Sequence, residues 1–171
     1  KRYILMMKKY KILLLTVLMS NSALALESDF AENVVVNAKR QEVFIKENRV
    51  IFYDNVVVTQ GTILIHADKL TVLSTGGKGT EVMIATGNVA TFYQELDDGK
   101  KINAESNEIR YELGKKRLTL TKNARLRQAD SEIKGNKIIY QIDKQEMIAE
   151  SGNNESDRVI TIFTPEDNKT K

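Results

Sequence analysis

The sequence has 171 residues, enough for one domain, with no cysteine and a single proline. Its 26 basic and 23 acidic residues give a net charge of +3, but five of the basic residues and none of the acidic ones lie in positions 1–25. The remaining 21 basic and 23 acidic residues give a charge of −2. This balance argues against a nucleic-acid-binding domain, which needs a basic surface. Without cysteine the chain forms no disulfides and no cysteine-type zinc site.

Residues 1–25 have the pattern of a secretory leader. Three lysines between positions 8 and 11 precede an apolar run over 12–19, and Ala23-Leu24-Ala25 supplies small residues at positions −3 and −1 of a cleavage site. The run is too short to span a membrane, which takes about 20 apolar residues. We therefore expect a cleaved signal peptide over 1–25 and an N-terminal extension over 26–33.

From residue 34 to residue 165 the pattern is that of an all-β domain, followed by a polar tail over 166–171. Apolar and polar residues alternate with period two, and the only proline is Pro165. Turn signals recur at short intervals and predict strands of five to eight residues between them. These signals are Asp54-Asn55, Gln60-Gly61, Gly76-Gly77, Gly87-Asn88, Asp98-Gly99, Gly114, Lys122-Asn123, Gly135-Asn136 and Ser151-Gly152.

An internal repeat divides this domain. Residues 52–60 resemble residues 120–128 at an offset of 68, and residues 37–43 resemble residues 103–109 at an offset of 66. Four small residues mark four predicted copies of one strand-pair unit: Ala38, Ala67, Ala104 and Gly135. Repeats of this length bury a core by stacking on their neighbours, so we expect an elongated roll with two open ends.

The two ends carry unguarded apolar strands. The first is Val34-Val35-Val36, and the last runs over 159–163 and includes Ile160 and Ile162. Exposed strand edges either pair with another chain or are covered by flanking segments. The sequence alone leaves both readings open; head-to-tail pairing of copies through these edges would be β-augmentation.

The polar residues suggest no catalytic site. His66, the only histidine, falls on the parity expected to face solvent, and the Gly76–Thr80 loop lacks the spacing of a phosphate-binding loop. Neither an acid–base pair nor a cofactor is indicated, so we expect no enzyme and no metal. What remains is an aliphatic interior, predicted to include Val43 and Ile45, which is either a packed core or a groove for acyl chains.

Several segments in order resemble one known family. They are Val56–Ile63 with Ala67-Asp68-Lys69, Ala90–Gln94, Tyr111-Glu112-Leu113 and Ile133–Ile138. Together they resemble the OstA-like family, which contains the periplasmic bridge protein of lipopolysaccharide export. The resemblance covers residues 32–165, and the leader agrees with it. At residues 37–40 the chain lacks the acidic stretch of this family. The contacts of the family's N-terminal interface are therefore not carried over to this chain, whereas the strand is.

The resemblance implies a twisted, V-shaped antiparallel β-jelly roll that binds lipopolysaccharide in an interior groove of a Gram-negative periplasm. It implies head-to-tail copies, with inner- and outer-membrane transport components of related fold as further partners and the energy supplied by an inner-membrane ATPase. The resemblance implies lipid contacts at Val34, Val36, Phe92 and either Leu118 or Leu120. Ile65, which the alternation places on the interior face, is predicted to join them. Parity counted from Asn55 instead places Val89 and Thr91 inward, which a bulge before Phe92 would resolve.

Two other functions compete with this reading. A structural or adhesive repeat protein with a fully packed core would show the same strands without a ligand. A secreted hydrolase would need a clustered acid–base pair near an opening, which the sequence does not offer.

Overall fold

A computed structural model describes residues 26–74 and 76–164, so the predicted leader over 1–25 and the tail over 166–171 lie outside the described residues. The chain begins with a short helix, α1, over Leu26–Ala31, and 3₁₀ turns at Ile45–Glu47 and Leu113–Lys115 precede two of the strands. The strands are β1 Val35–Asn37, β2 Arg40–Phe44, β3 Arg49–Gln60, β4 Ile63–Leu73, β5 Val82–Glu95, β6 Lys101–Glu112, β7 Arg117–Gln128, β8 Ser131–Gln141, β9 Glu146–Glu150 and β10 Ile160–Phe163.

All ten strands belong to one antiparallel sheet. Its order is β1-β3-β4-β5-β6-β7-β8-β10, while β2 also pairs with β3 and β9 also pairs with β8. Within the described ranges no further strand pairs with β1 and β2 at one end or with β9 and β10 at the other. The predicted all-β fold with two open ends is therefore confirmed.

Bulges divide the long strands into two arms. The pairing register shifts between Tyr53 and Val56 in β3, and comparable shifts follow in every pair from β4 to β8. Bulges bend strands, and a row of them folds the sheet into a V-shaped jelly roll. The first arm contains the β3–β4, β5–β6 and β7–β8 hairpins with β1 and β10. The second arm contains the two 3₁₀ turns with β2 and β9.

The bulges correct the predicted strand lengths. Strands β3 to β8 have 11 to 14 residues rather than five to eight. Four predicted turns lie inside strands: Asp54-Asn55, Gly87-Asn88, Lys122-Asn123 and Gly135-Asn136. Asp54-Asn55 and Lys122-Asn123 have the positive φ that hairpin turns also use, whereas Gly87-Asn88 and Gly135-Asn136 contain turn-type residues without it, so the composition alone does not separate a bulge from a turn.

Asparagine and aspartate side chains link the bulges of four neighbouring strands. The Asn88 backbone N–H donates to Asp68 Oδ2 at 3.1 Å, and Asn107 Nδ2 donates to the Asn88 carbonyl at 2.7 Å. Asn123 Nδ2 in turn donates to Asn107 Oδ1 at 2.8 Å. This polar ladder satisfies groups that the bulges remove from the backbone pairing, and so it fixes the line of the bend.

The repeat at offset 68 is present in the structure. The first 3₁₀ turn, β3 and β4 correspond to the second 3₁₀ turn, β7 and β8 with that offset. The offset of 66 for the preceding strand is wrong, because Val36 pairs with Val58 as Ala104 pairs with Leu126, again 68 residues apart. The roll thus contains two copies of a three-strand unit with β5 between them, not four copies of a strand pair.

Burial follows the predicted parity in the long strands. Val56, Val58, Ile63 and Ile65 are buried, and His66 is exposed as expected. Two predicted interior residues are exposed instead: Val43, at 57%, and Ile45, at 83%. Val43 lies on the edge strand β2 and Ile45 in a 3₁₀ turn. Within the described residues no further strand lies beside either of them to bury its side chain.

Candidate ligand groove

Three apolar rows cross the inner face of the sheet, each made of directly paired residues. The first arm contributes Val36, Val58, Ile65, Phe92, Ala104, Leu126 and Ile133. The second arm contributes Phe52, Leu70, Ala85, Ile109, Leu120, Ile138 and Ala149, and farther from the bend Val50, Val72, Met83, Tyr111, Leu118, Tyr140 and Met147. The two arms face each other, so these rows form one interior.

The interior is not filled by side chains at the β1 end. A cavity of about 610 Å³ lies there between Val34 and Val36 of the first arm and Phe52, Val72 and Met83 of the second. Its volume falls in the range of small-molecule sites, and its exposed lining is more apolar than polar. Toward the β10 end the interior is filled instead, with side chains such as Ile109, Leu120 and Ile138 fully buried.

The predicted lipid-contacting residues divide between these two regions. Val34 and Val36 line the cavity. Ile65, Phe92, Leu118 and Leu120 are at most 1% exposed and belong to the packed core. Each of the two predicted alternatives therefore holds in one region: the interior is a cavity at the β1 end and a packed core beyond it.

The position of Phe92 depends on the bulge in β5. Three residues, Gly87 to Val89, stand opposite the single residue Asn107, so the alternation reverses at this point. As a result Phe92 points inward and Val89 is 57% exposed. The parity count that placed Val89 on the inner face is thus wrong, and the bulge accounts for the difference.

A hydrogen bond joins the arms near the opening. The Tyr111 hydroxyl, on the second arm, donates to Gln60 Oε1 on the first arm at 2.8 Å. Gln60 Nε2 then donates to the carbonyl of Glu32, in the segment after α1, at 3.3 Å. Burial of Tyr111 raises the pKa of its hydroxyl, and the negative charge of Asp29 raises it further. The hydroxyl therefore stays protonated and remains a donor.

Asp29 in α1 is the most enclosed acidic group of the site. Its side chain accepts hydrogen bonds from the Thr62 backbone N–H at 2.7 Å, the Thr62 hydroxyl at 2.8 Å and Gln94 Nε2 at 3.2 Å. Thr62 and Gln94 belong to the first arm, close to the ends of its hairpins. These bonds seat α1 at the opening, where the neighbouring Phe30 lines the cavity.

Sequence reasoning missed this seat and treated residues 26–33 as a simple extension. One signal was present: Gln60 and Gln94 lie on the inward parity of their strands, next to Val58 and Phe92. A buried amide requires hydrogen-bond partners, and no partner for either amide is apparent from the strand pattern. Asp29 is 65 residues away from Gln94 in the sequence, so only the fold reveals the contact.

The rim of the cavity carries charges of both signs. Lys78 and Lys116 lie on loops of the second arm, and Glu32 and Glu81 lie beside them. Lys116 Nζ lies 4.7 Å from the centre of the Phe30 ring, a cation–π contact between this loop and α1. The rim therefore combines a polar border with an apolar floor.

Both ends of the sheet present apolar edge strands: β1 contains Val35 and Val36 of the predicted first strand, with Val34 just before it, and β10 contains Ile160 and Ile162. Val35 is 48% exposed, and every residue of β10 is exposed. Their part in self-association stays a prediction. In the described ranges no group of histidine and acidic side chains could hold a metal ion. None of the helices in those ranges has the length and apolar character of a membrane-spanning helix.

Fold and site together define an open-ended β-jelly roll with an apolar groove between its arms. The family model described as "LptA/(LptD N-terminal domain) LPS transport protein" matches residues 35–146. The chain is 40% identical over 151 residues to the lipopolysaccharide export system protein LptA of Haemophilus influenzae, covering 87% of each chain. The chain therefore belongs to the LptA/LptD N-terminal domain family, as the resemblance of its motifs indicated.

Two further comparisons agree with this assignment. The LptA of Escherichia coli is 42% identical over 144 residues, which cover 84% of this chain and 77% of the relative. A crystal structure of LptH from Pseudomonas aeruginosa, the LptA homologous periplasmic component of the lipopolysaccharide transport device, superposes with a TM-score of 0.74. It covers 81% of this chain and 99% of that chain at 23% identity, and so supports the fold.

Proposed function

We propose that this chain is a periplasmic carrier that binds lipopolysaccharide in its groove and joins copies of itself head to tail. The observation that carries the proposal is the apolar cavity between the arms at the β1 end. The family assignment supports it, since the relatives are named as lipopolysaccharide export proteins. Delivery to the periplasm would use the leader over residues 1–25.

The cavity has the chemistry that an acyl chain requires. Val34, Val36, Phe52, Val72 and Met83 offer aliphatic and aromatic contacts without a charged group on the floor. Burial of apolar surface drives binding of such a chain by about 25 cal/mol per Å². Lysines and glutamates at the rim keep the border in water, where a polar head group would lie.

The arrangement of the edges supports head-to-tail assembly. At one end β1 is the edge strand of the first arm and β2 that of the second; at the other end β10 is the edge strand of the first arm and β9 that of the second. Within the described residues each arm thus ends in an edge strand at both ends, so copies in line would continue both arms. Inner- and outer-membrane transport components of related fold would join the two ends of such a row in the same way.

This role requires no catalysis by the chain. Lipid would move along the groove from one copy to the next, and an inner-membrane component would supply the energy. A structural or adhesive repeat protein is the competing function, and it predicts no saturable binding of lipopolysaccharide.

A photo-crosslinker at Val36 tests the proposal directly. Val36 lines the cavity, whereas Lys69, on β4, is exposed and serves as the matched control position. We expect a lipopolysaccharide adduct at Val36 that saturates with added lipopolysaccharide, and little adduct at Lys69. Equal adduct yields at the two positions, or none at either, would contradict the proposal and favour the structural protein.

A further inference from the structure

The segment that carries α1 lies across the mouth of the cavity at the β1 end. Phe30, Ala31 and Asn33 line the cavity together with Val34, and Phe30 also packs against the buried core. A ligand chain that enters beside Val34 and Val36 would meet the Phe30 ring first. The segment over residues 26–33 and the ligand therefore compete for the same space.

We propose that residues 26–33 form a lid that closes the groove in the free protein, with Asp29 as its latch. The inference rests on the proposed function, since it describes how the lipid site of that function is opened. It predicts two states of one chain: a closed state with Asp29 seated on the first arm, and an open state in which the cavity accepts a ligand.

The latch is a buried charge held by neutral donors. Asp29 is 5% exposed and accepts hydrogen bonds from Thr62 and Gln94. Among the described residues, no lysine or arginine forms an ion pair with it. Burial of a carboxylate without a counter-ion is costly, and hydrogen bonds offset that cost only in part. The seat is therefore specific in geometry and limited in stability, as a lid requires.

The hairpin under the latch is shaped for it. A Cβ atom at Gly61 would lie 2.8 Å from the Asp29 Cα and would collide with its carboxylate. Any side chain at this position would thus push α1 off the arm. Gly99, in the neighbouring β5–β6 hairpin, also has a positive φ, +77° against +57° for Gly61, but has no atom within 4 Å of the corresponding Cβ.

The lid is also coupled to the edge of the sheet by its position in the chain. It ends at residue 33, and the cavity residue Val34 and the edge strand β1 follow at once. Addition of a strand to β1 would therefore act on the residues next to the lid. Assembly at this edge and opening of the groove would then favour each other.

The experiment uses the protein purified from the periplasm. Because its sequence contains no cysteine, an introduced thiol is the only one in the chain. A single thiol is introduced by Val72→Cys inside the cavity, or by Val56→Cys in the packed core as the reference. The labelling rate with a water-soluble maleimide is then measured in three backgrounds: unchanged, Gly61→Ala and Gly99→Ala. We expect Gly61→Ala to raise the rate at position 72 by about tenfold or more, with less than about a twofold change at position 56. Gly99→Ala carries the same backbone strain and should change neither rate.

Asp29→Ala provides a second way to open the lid without altering the hairpin, and Asp97→Ala, at an exposed position of the β5–β6 turn outside the cavity, is its control for the lost charge. Lipopolysaccharide binding, read from the adduct at Val36, should reach half-saturation at about tenfold lower concentration in Gly61→Ala and Asp29→Ala than in their controls.

Unchanged labelling at position 72 in both variants would overturn the lid. Faster labelling without tighter binding would overturn its role in ligand entry and leave the proposed function intact. Absence of binding in every background, including the unchanged chain, would instead overturn the proposed function and with it the purpose of the lid.

Discussion

The Tyr111 hydroxyl donates to Gln60 Oε1 across the groove at 2.8 Å, whereas the Tyr140 hydroxyl, on the same arm, is buried without a partner in the described part of the chain. The two tyrosines form a natural pair for comparison. Both side chains are at most 1% exposed, and both lie in the inner-face row of the second arm that is farther from the bend. They differ in whether removal of the hydroxyl leaves another polar group unpaired.

Tyr111→Phe should therefore destabilise the fold by about 1–2 kcal/mol, because Gln60 Oε1 loses its donor in a buried site. Tyr140→Phe should be neutral or slightly stabilising, because a buried hydroxyl without a partner already carries a desolvation cost. Urea unfolding of both variants measures the two free energies. Equal losses would show that the cross-arm hydrogen bond contributes nothing of its own.

Stability should also fall in alkaline solution. Burial raises the pKa of Tyr140 to about 12 from an ordinary value of 10.0, and it raises the pKa of Tyr111 as well. The folded state therefore keeps protons that the unfolded state releases, so stability is fully present below pH 10 and is lost as the pH rises toward 12. Each tyrosine contributes about 1.4 kcal/mol per pH unit in that interval. Tyr140→Phe should reduce the slope of the free energy of unfolding against pH, and an unchanged slope would contradict this assignment.

Glu112, at the end of β6, should make the fold sensitive to acid. Burial alone would raise the pKa of this carboxyl, but hydrogen bonds from Arg117 and Lys115 hold it below its usual value. The resulting stability is present above about pH 4.5 and is lost as the pH falls below it. Arg117→Ala should cost about 1–3 kcal/mol at pH 7, since Glu112 is nearly buried.

The control for Arg117→Ala is Lys100→Ala, which breaks an exposed ion pair with Asp98 of 2.6 Å. Exposed pairs contribute little, so we expect a loss below about 1 kcal/mol. Thermal unfolding at pH 7 and pH 3.5 compares the two variants with the unchanged chain. A similar loss for both variants would mean that burial of Glu112 does not strengthen its ion pairs.

The polar ladder along the bend can be tested at its centre. Asn107 donates to the Asn88 carbonyl and accepts from Asn123, so Asn107→Ala removes both links. We expect a loss of about 1–2 kcal/mol in the free energy of unfolding. Asn103→Ala, at an exposed position of the same strand, should change stability by less than about 0.5 kcal/mol. If the two variants unfold alike, the ladder does not stabilise the bend.

The proposed assembly depends on the edge strand β10. Ile162→Lys places a charge on an edge residue that is 42% exposed, and lysine on an edge opposes pairing with another strand. Multi-angle light scattering over a wide concentration range should then show a monomer where the unchanged chain forms larger species. Val89→Lys changes an equally apolar exposed residue away from the edges and should leave association unaffected. A monomer at all concentrations in the unchanged chain would remove the assembly from the proposal.

Much of this fold was predictable because its information is local. The alternation of Val56, Val58, Ile63 and Ile65 with polar neighbours specifies one buried face, and the 68-residue offset places the same pattern in β7 and β8. Only the bulge before Phe92 was indicated, by the conflict between its expected inward position and the parity of Val89 and Thr91, and the structure confirms it; the other bulges were not predictable from the same signals. Asp54-Asn55 and Gly87-Asn88 have turn chemistry, and whether such a pair ends a strand or bends it depends on the partner strand.

The site depends on contacts between distant residues, which explains what the sequence left hidden. Val34 and Val36 were recognisable as interior positions, but the cavity beside them also requires Phe30 and the loops near Lys78 and Lys116. The seat of Asp29 joins residues 33 and 65 positions apart. Neither periodicity nor spacing records contacts of that kind.

The presence of two arms at each end of the roll has a mechanical consequence. A junction made through one strand would leave neighbouring copies free to swivel about that strand, and their grooves would fall out of line. A junction in which β1 and β2 of one copy pair with β10 and β9 of the next would be held along two separate strand pairs and would resist that rotation. In the proposed assembly, folding one sheet along its bulges would thus turn a flexible contact into a stiff coupling, and neighbouring copies would keep one common direction.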